Sequence, residues 1–340
     1  MPAFGMEGNA GRRAGWGPLA GLAVWALASP GMAMPARSAA FDIVPLGVEG
    51  GLVEGATTAW YVAAHAAKTG LACDAGTLVP GIRAGRDHGA FPKGEDDGTI
   101  LHERIRAYAI THAHLDHVAG MVMASPDDSA KPIFALGPVN AALAQDYFNW
   151  SAWPNMGDRG PAPQLGHYTY RDLSPGSRAQ EVEGTDLALR AFPLAHGGVL
   201  STAFLVQSGP DAILCMGDTG PDAVEGSDRL DQLWQAVAPL VRAGHLRAIL
   251  VETSYTNARR DEELFGHLTP RWLNRELERL AGHVGDTDAL RGLNVVIGHI
   301  KPSLAPAREP AAQTIAYELE ESRTLPVRFW IARQGKRLAF

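Results

Sequence analysis

The stretch "THAHLDHVAG", residues 111–120, follows the apolar run "IRAYAI" and sets three histidines and one aspartate within the six residues 112–117. Groups of this kind are costly to desolvate at the edge of a buried strand. Either they reach solvent or something binds them. On a loop leaving a strand, His112 and His114 can point one way while Asp116 and His117 turn to an adjacent position. Neutral imidazole and carboxylate suit zinc and similar divalent ions. One catalytic ion takes three protein ligands, so four groups in six residues suggest two ions, which in two-metal sites lie about 3.5–4 Å apart.

Two ions need further ligands, and these belong at strand ends, where loops converge. "PLAHGG" ends an apolar run with His196, "LCMGDTG" with Asp218, and "VVIGHIKP" with His299. A single strand-terminal histidine means little. The series in this order is hard to obtain by chance. Gly217 and Gly220 are expected to leave Asp218 exposed.

Around these points the chain alternates. Strand-like runs cover 41–47, 58–64, 70–76, 106–114, 131–137, 187–196, 202–209, 212–220, 246–254 and 293–300, each apolar and closed by Gly, Asp or a similar turn residue. Helical periodicity covers 139–150, 228–244, 269–285 and 311–322. The third of these opens on Thr269-Pro270, a cap followed by a first-turn proline. Residues 151–185 read as an insertion loop, and 327–340 as a closing hairpin. Strand-rich stretches broken by helices predict an α/β fold, an αβ/βα four-layer sandwich with two central mixed β-sheets between helices. Residues 41–340 read as one catalytic domain.

The formal net charge is −7 over 340 residues, with no polybasic run. That argues against a nucleic-acid polymer as partner but not against a small anion, because bound metal supplies positive charge locally. Cys73 and Cys215 make no disulfide framework. A bridge between them is allowed, but each lies in an apolar run, and two buried free thiols are the expectation. Residues 1–40 carry Arg12 and Arg13, a short apolar stretch and small residues before Ala33 and Ala40. This is the order of a signal peptide, too short for a confident membrane span. The expected location is therefore periplasmic or secreted, without a stable membrane anchor.

The motifs "LACDAGT", "THAHLDHVAG", "WPN", "GDTGPD", "VETSY", "LFGHLTP" and "HIKPS" together resemble the class II 3′,5′-cyclic-nucleotide (cAMP) phosphodiesterases, within the metallo-β-lactamase fold superfamily. The resemblance runs from about residue 42 to 330, and the last motifs are far more specific than HxHxDH. It implies that His112, His114 and His196 hold one metal, that Asp116, His117 and His299 hold the other, and that Asp218 bridges both. It implies two divalent ions, zinc first, with Mn or Fe as alternatives. It implies hydrolysis of a 3′,5′-cyclic nucleotide, cAMP or cGMP, to the 5′-monophosphate, by a hydroxide activated between the metals and attacking phosphorus in line with O3′. His267 in "LFGHLTP" is the expected proton donor to the leaving oxygen, with Asp116 orienting it or the water.

Asp74 and Glu252 are expected to support the centre by hydrogen bonding from behind. Trp153, Asn155 and Lys301 are candidate substrate contacts. The remaining histidines (His65, His88, His102, His167, His245 and His283) fall in no such pattern. An alternative enzyme class is another dinuclear hydrolase of this fold, a lactonase, thioesterase or β-lactamase. An inert binding scaffold is disfavoured because all seven ligands are present. The sequence allows a homodimer and does not set the oligomeric state.

Overall fold

In the computed structural model, which describes residues 38–305 and 309–340, the apolar runs pair into two seven-stranded mixed sheets. The N-terminal 37 residues, which hold nearly all of the expected signal peptide, lie outside the described residues. The first sheet uses β1 (Phe41–Gly47), β2 (Ala59–Ala64), β3 (Gly70–Cys73), β4 (Ile105–Ala109), β5 (Lys131–Leu136) and β6 (Tyr168–Leu173). The second uses β7 (Gln180–Val182), β8 (Leu187–His196), β9 (Val199–Ser208), β10 (Asp211–Met216), β11 (Leu246–Glu252), β12 (Asn294–Gly298) and β13 (Arg328–Ile331). The last strand, β14 (Leu338–Ala339), returns to the first sheet beside β1.

Each sheet is antiparallel over one half and parallel over the other. The pairs β3–β4, β4–β5 and β5–β6 are parallel in the first sheet. In the second sheet β10–β11, β11–β12 and β12–β13 are parallel. Loops leaving parallel strands gather at one end of a sheet, which is where an α/β fold builds a site.

The period-2 alternation of strands sorts the core into layers. On the second sheet Phe204, Val206, Ile213, Cys215, Ala248, Leu250 and Val296 face the first sheet. Their neighbours Ala203, Leu205, Ala212, Leu214, Ile249, Val251, Val295 and Ile297 face the other way. There they meet the apolar stripes of the helices Arg229–Arg242, Pro270–Val284 and Ala311–Glu321. Buried on both faces, these strands read as continuous apolar runs.

Four expectations are corrected. The 151–185 stretch holds two strands, β6 and β7, besides its loops. Residues 327–340 form no hairpin, because β13 pairs with β12 in one sheet and β14 with β1 in the other. The segment 139–150 is helical only over Gly137–Ala142 before a π-type turn at Leu143–Tyr147. Finally, Cys73 and Cys215 are not free thiols. Cys73 on β3 and Cys215 on β10 are disulfide-bonded, with Cα atoms 6.6 Å apart. Both side chains point into the layer between the sheets, so the bond ties one sheet to the other beneath the loops that follow β3 and β10.

Candidate metal centre

Strand ends deliver every ionisable group of the centre. After β4 the chain leaves the sheet at Ile110, and the helix Leu115–Ala124 begins beyond His114, so the "HAHLDH" residues occupy a loop and a first helical turn. The strand expected to run to 114 stops at Ala109 for this reason. His196 ends β8, Asp218 lies two residues past β10, and His299 directly follows β12. His299 adopts a left-handed backbone, φ 52°, as does Asp74, φ 53°. Such strain in non-glycine residues is held only where surrounding structure imposes it.

Two glycines permit the close approach. A Cβ on Gly50 would lie 2.5 Å from the His299 ring, and one on Gly217 would lie 2.4 Å from Thr111 Cβ. Gly217 therefore lets Asp218 sink against the first sheet. Asp218 is 2% exposed, contrary to the expected exposure.

Among the described residues the ligand-capable atoms form five overlapping groups, two of which also take in His267, and two match the expected sets. His112, His114 and His196 lie within 4.8 Å of one another, as do Asp116, His117 and His299. Asp218 sits between them. Its Oδ1 is 3.3 Å from His117 Nε2, and its Oδ2 is 3.1 Å from His299 Nε2, 3.8 Å from His196 Nε2 and 3.9 Å from His112 Nε2. His299 Nε2 is also 3.3 Å from Asp116 Oδ2. His114 approaches through its other nitrogen, with Nδ1 3.2 Å from His196 Nε2. The centre is buried except at His114, which is exposed, and Asp116, which is half-buried.

The outer nitrogens decide what the inner ones can do. His117 Nδ1 donates to Asp74 Oδ2 at 2.8 Å, and His196 Nδ1 donates to the Gly266 carbonyl at 2.7 Å. The Thr111 hydroxyl gives its proton to Asp74 Oδ2 at 2.9 Å and so accepts from His112 Nδ1 at 3.0 Å. With Nδ1 protonated, each Nε2 presents a lone pair inward. The Nε2 atoms of His112, His117 and His299 are buried without a hydrogen-bond partner among the described residues. Orphaned buried acceptors converging on carboxylates fit divalent cations, and the acceptor at the outer nitrogen is the usual support of a metal-bound histidine.

Electrostatics agree with the need for positive charge. Burial pushes the His112 ring well below the ordinary imidazole range, and it lowers His114 and His196 as well. His117 is the opposite case: burial works against its charged form, but Asp218 and Asp74 hold it well above that range. Asp218 is itself buried, which disfavours its charge, yet His299 and His117 keep its carboxyl well below the usual carboxylate range. A proton or a metal can supply the cation that this pair demands, and metal binding displaces the proton.

His267 stands beside the ligands. Its ring packs 4.7 Å from that of His196 and stacks 5.3 Å from that of His299. Nδ1 is 2.8 Å from Glu252 Oε1. Burial disfavours the charged ring, but Glu252 and Asp218 together outweigh this and raise His267 above the ordinary range. Glu252, not Asp116, orients His267; Asp116 instead accepts from Gly51 N at 2.9 Å. Sequence reasoning passed over Thr111 and Ser254. Both stand inside quoted motifs, but hydroxyls carry no spacing signal of their own.

The candidate substrate contacts separate. Asn155 is fully buried, and its amide donates to Arg159 O and Pro161 O and accepts from Gly157 N, all inside its loop. Both its donors are used, and full burial keeps the side chain from a ligand. Trp153 packs against the inter-sheet core and donates to Ser125 Oγ at 3.1 Å. Lys301 remains available. It lines a cavity of about 1040 Å³ with Tyr255 and Arg259. Of the other histidines, His65, His245 and His283 pair with Asp42, Asp211 and Asp231 outside the centre.

The family model of the class-II cAMP phosphodiesterases matches residues 97–335. The 3′,5′-cyclic-nucleotide phosphodiesterase of Aliivibrio fischeri is 42% identical over 314 residues, 90% of this chain and 94% of that protein. The crystal structure of unliganded yeast PDE1 is similar with a TM-score of 0.77 and 26% identity, covering 89% of this chain and 100% of that one. A metallo-β-lactamase-fold protein from Bacillus subtilis shares the fold at 15% identity and a TM-score of 0.55, covering 88% of this chain and 99% of its own.

Proposed function

This chain belongs to the class II cAMP phosphodiesterases, and from that membership we propose that its histidine–aspartate centre opens the ring of 3′,5′-cyclic nucleotides to give 5′-monophosphates. The observation that carries the reading is the pair of ligand groups flanking one buried aspartate, Asp218. His112, His114 and His196 would hold one divalent ion, Asp116, His117 and His299 the other, and Asp218 would contact both. Zinc fits the nitrogen-rich set best, with manganese or iron also compatible.

When bound, such ions supply positive charge for the phosphodiester and lower the pKa of water. The chain's own residues handle the proton. Water adds to phosphorus opposite O3′, the P–O3′ bond breaks, and O3′ needs a proton. His267 would carry one on Nε2, with its Nδ1–H held by Glu252. Transfer from Nε2 to O3′ leaves neutral imidazole and a free 3′-hydroxyl. A proton lost by the attacking water restores the ring. Lys301, on a cavity wall with Ser254, is our candidate to meet a phosphate or ribose oxygen.

We also propose export to an oxidising compartment. The N-terminal pattern supports it, and so does the inter-sheet disulfide, a bond that reducing cytoplasm disfavours. N-terminal sequencing of protein recovered from a periplasmic fraction tests this, and a chain beginning at residue 1 in the cytoplasm would refute it.

The activity is tested by incubating purified protein with 3′,5′-cAMP and zinc or manganese and resolving products by chromatography. We expect 5′-AMP, and none from Asp218→Ala. Metal binding without cAMP turnover would retain the centre and reject the substrate.

A further inference from the structure

Ser254 is 1% exposed and lies two residues past Glu252, the end of β11. Its Oγ sits among four acceptors or donors: Glu252 Oε2 at 2.5 Å, His299 Nδ1 at 2.9 Å, the His299 carbonyl oxygen at 3.1 Å and His267 Nδ1 at 3.2 Å. A hydroxyl has one proton to give and lone pairs to receive. The carboxylate is both the nearest and the strongest acceptor, so the proton goes to Glu252. Oγ can then only accept from His299, which requires Nδ1–H on that ring. His299 Nε2 is thereby left as a lone pair aimed at Asp116 and Asp218.

Glu252 is fully occupied. Oε1 accepts from Thr219 N and His267 Nδ1, and Oε2 accepts from the Ser254 hydroxyl and from the amides of Ser254 and Leu268. Because His267 already donates to Oε1 at 2.8 Å, the longer approach of His267 to Ser254 is secondary. The first sheet repeats the chemistry. Thr111 gives its proton to Asp74 and accepts from His112 Nδ1, while Asp74 also holds His117 directly.

We propose that Ser254 is a positioning residue that fixes the nitrogen His299 presents to the centre and ties this ligand to the carboxylate that holds His267. The proposal rests on the metal-centre reading, not on the identity of the substrate. Without the hydroxyl, His299 Nδ1–H loses its acceptor and the ring is free to turn or change tautomer. The ion held by Asp116, His117 and His299 then weakens, and the ion held by His112, His114 and His196 does not. Loss of an outer partner of this kind typically costs about 10–100-fold in metal affinity.

The test is zinc titration of the metal-depleted full chain, comparing wild type, Ser254→Ala, His299→Ala and the double variant. The expected result is two equivalents for wild type, one unchanged and one weakened by about 10–100-fold in Ser254→Ala, and a double variant no weaker than His299→Ala alone. Two unchanged constants, equal weakening of both, or additive losses in the double variant would overturn it, since a packing role has no reason to select one ion. If Ser254→Ala does not fold, ¹H–¹⁵N correlation of the zinc-loaded wild type decides: Nδ1–H on His299 supports the proposal and Nε2–H rejects it. A wild type that binds no zinc rejects the metal-centre reading itself, a distinct outcome.

Discussion

Two buried polar clusters flank the end of β4, and they differ in completeness. In one, Asp128 accepts from the hydroxyls of Tyr108 and Tyr168, at 2.6 and 2.8 Å, and pairs with Lys131 at 2.7 Å. Lys131 also donates to the Leu101 carbonyl at 2.8 Å. The charge is balanced by the protein. In the other, four residues along from Tyr108, the Nε2 atoms of His112, His117 and His299 have no hydrogen-bond partner among the described residues, and they stand around two carboxylates. Burial by itself therefore does not mark a site. A buried cluster that satisfies itself holds the fold together, and one that leaves lone pairs converging requires a ligand.

The largest expected effect on the open cluster, short of removing Asp218, comes from His267→Ala. General acid catalysis contributes about 10²–10⁴-fold, and kcat with cAMP should fall by that order. An aryl diester whose leaving group is stable as an anion needs no proton, so its rate should fall far less. Equal losses on the two substrates would mean that His267 shapes the pocket and does not deliver the proton.

Lys131→Met probes the closed cluster. Removing one member of a buried pair leaves Asp128 uncompensated and costs about 3–5 kcal/mol. Denaturant unfolding should show this loss, while kcat at a temperature where the variant is folded stays at the wild-type value. A fall in kcat there would dissolve the distinction between the clusters.

Metal removal gives the intermediate effect on stability. Ions that bind only the folded chain stabilise it by about 2.7 kcal/mol at a hundred times their Kd. A chelator should therefore abolish turnover and lower the unfolding midpoint, and added zinc should restore both. In the closed cluster nothing is lost on chelation, so Lys131→Met and chelation should act independently on stability. A midpoint unmoved by chelation would show the centre to be self-sufficient as well.

The same contrast explains what the sequence could reveal. Apolar runs such as "KPIFAL" and "AILCM" are buried on both faces and could be read directly. So could "HAHLDH", because crowding of ionisable groups has no structural use at a strand end. The short β7, "QEV", is mostly exposed and carries no apolar signal, so it vanished into the 151–185 loop. The final strands misled because adjacency suggests a hairpin, while their partners, β12 and β1, are far away in sequence. Cys73 and Cys215 were legible only as buried. Their pairing depends on which faces of β3 and β10 oppose each other across the layer, a tertiary fact. Thr111 and Ser254 became visible only when each hydroxyl's single proton could be assigned.

Asn155→Ala carries the smallest expected effect and the finest version of the comparison. The amide in "WPN" invited a substrate contact, but both its donors go to Arg159 O and Pro161 O, and its oxygen accepts from Gly157 N. By the criterion above it belongs with Asp128, among groups the protein has already satisfied. Truncation leaves the buried Gly157 amide without its acceptor, at a cost of about 1–3 kcal/mol, which should appear as a lower unfolding midpoint. KM for cAMP should not move, because the side chain is fully buried and never meets the nucleotide. A raised KM with an unchanged midpoint would place Asn155 in the open class and reverse the reading of the insertion from scaffold to substrate wall.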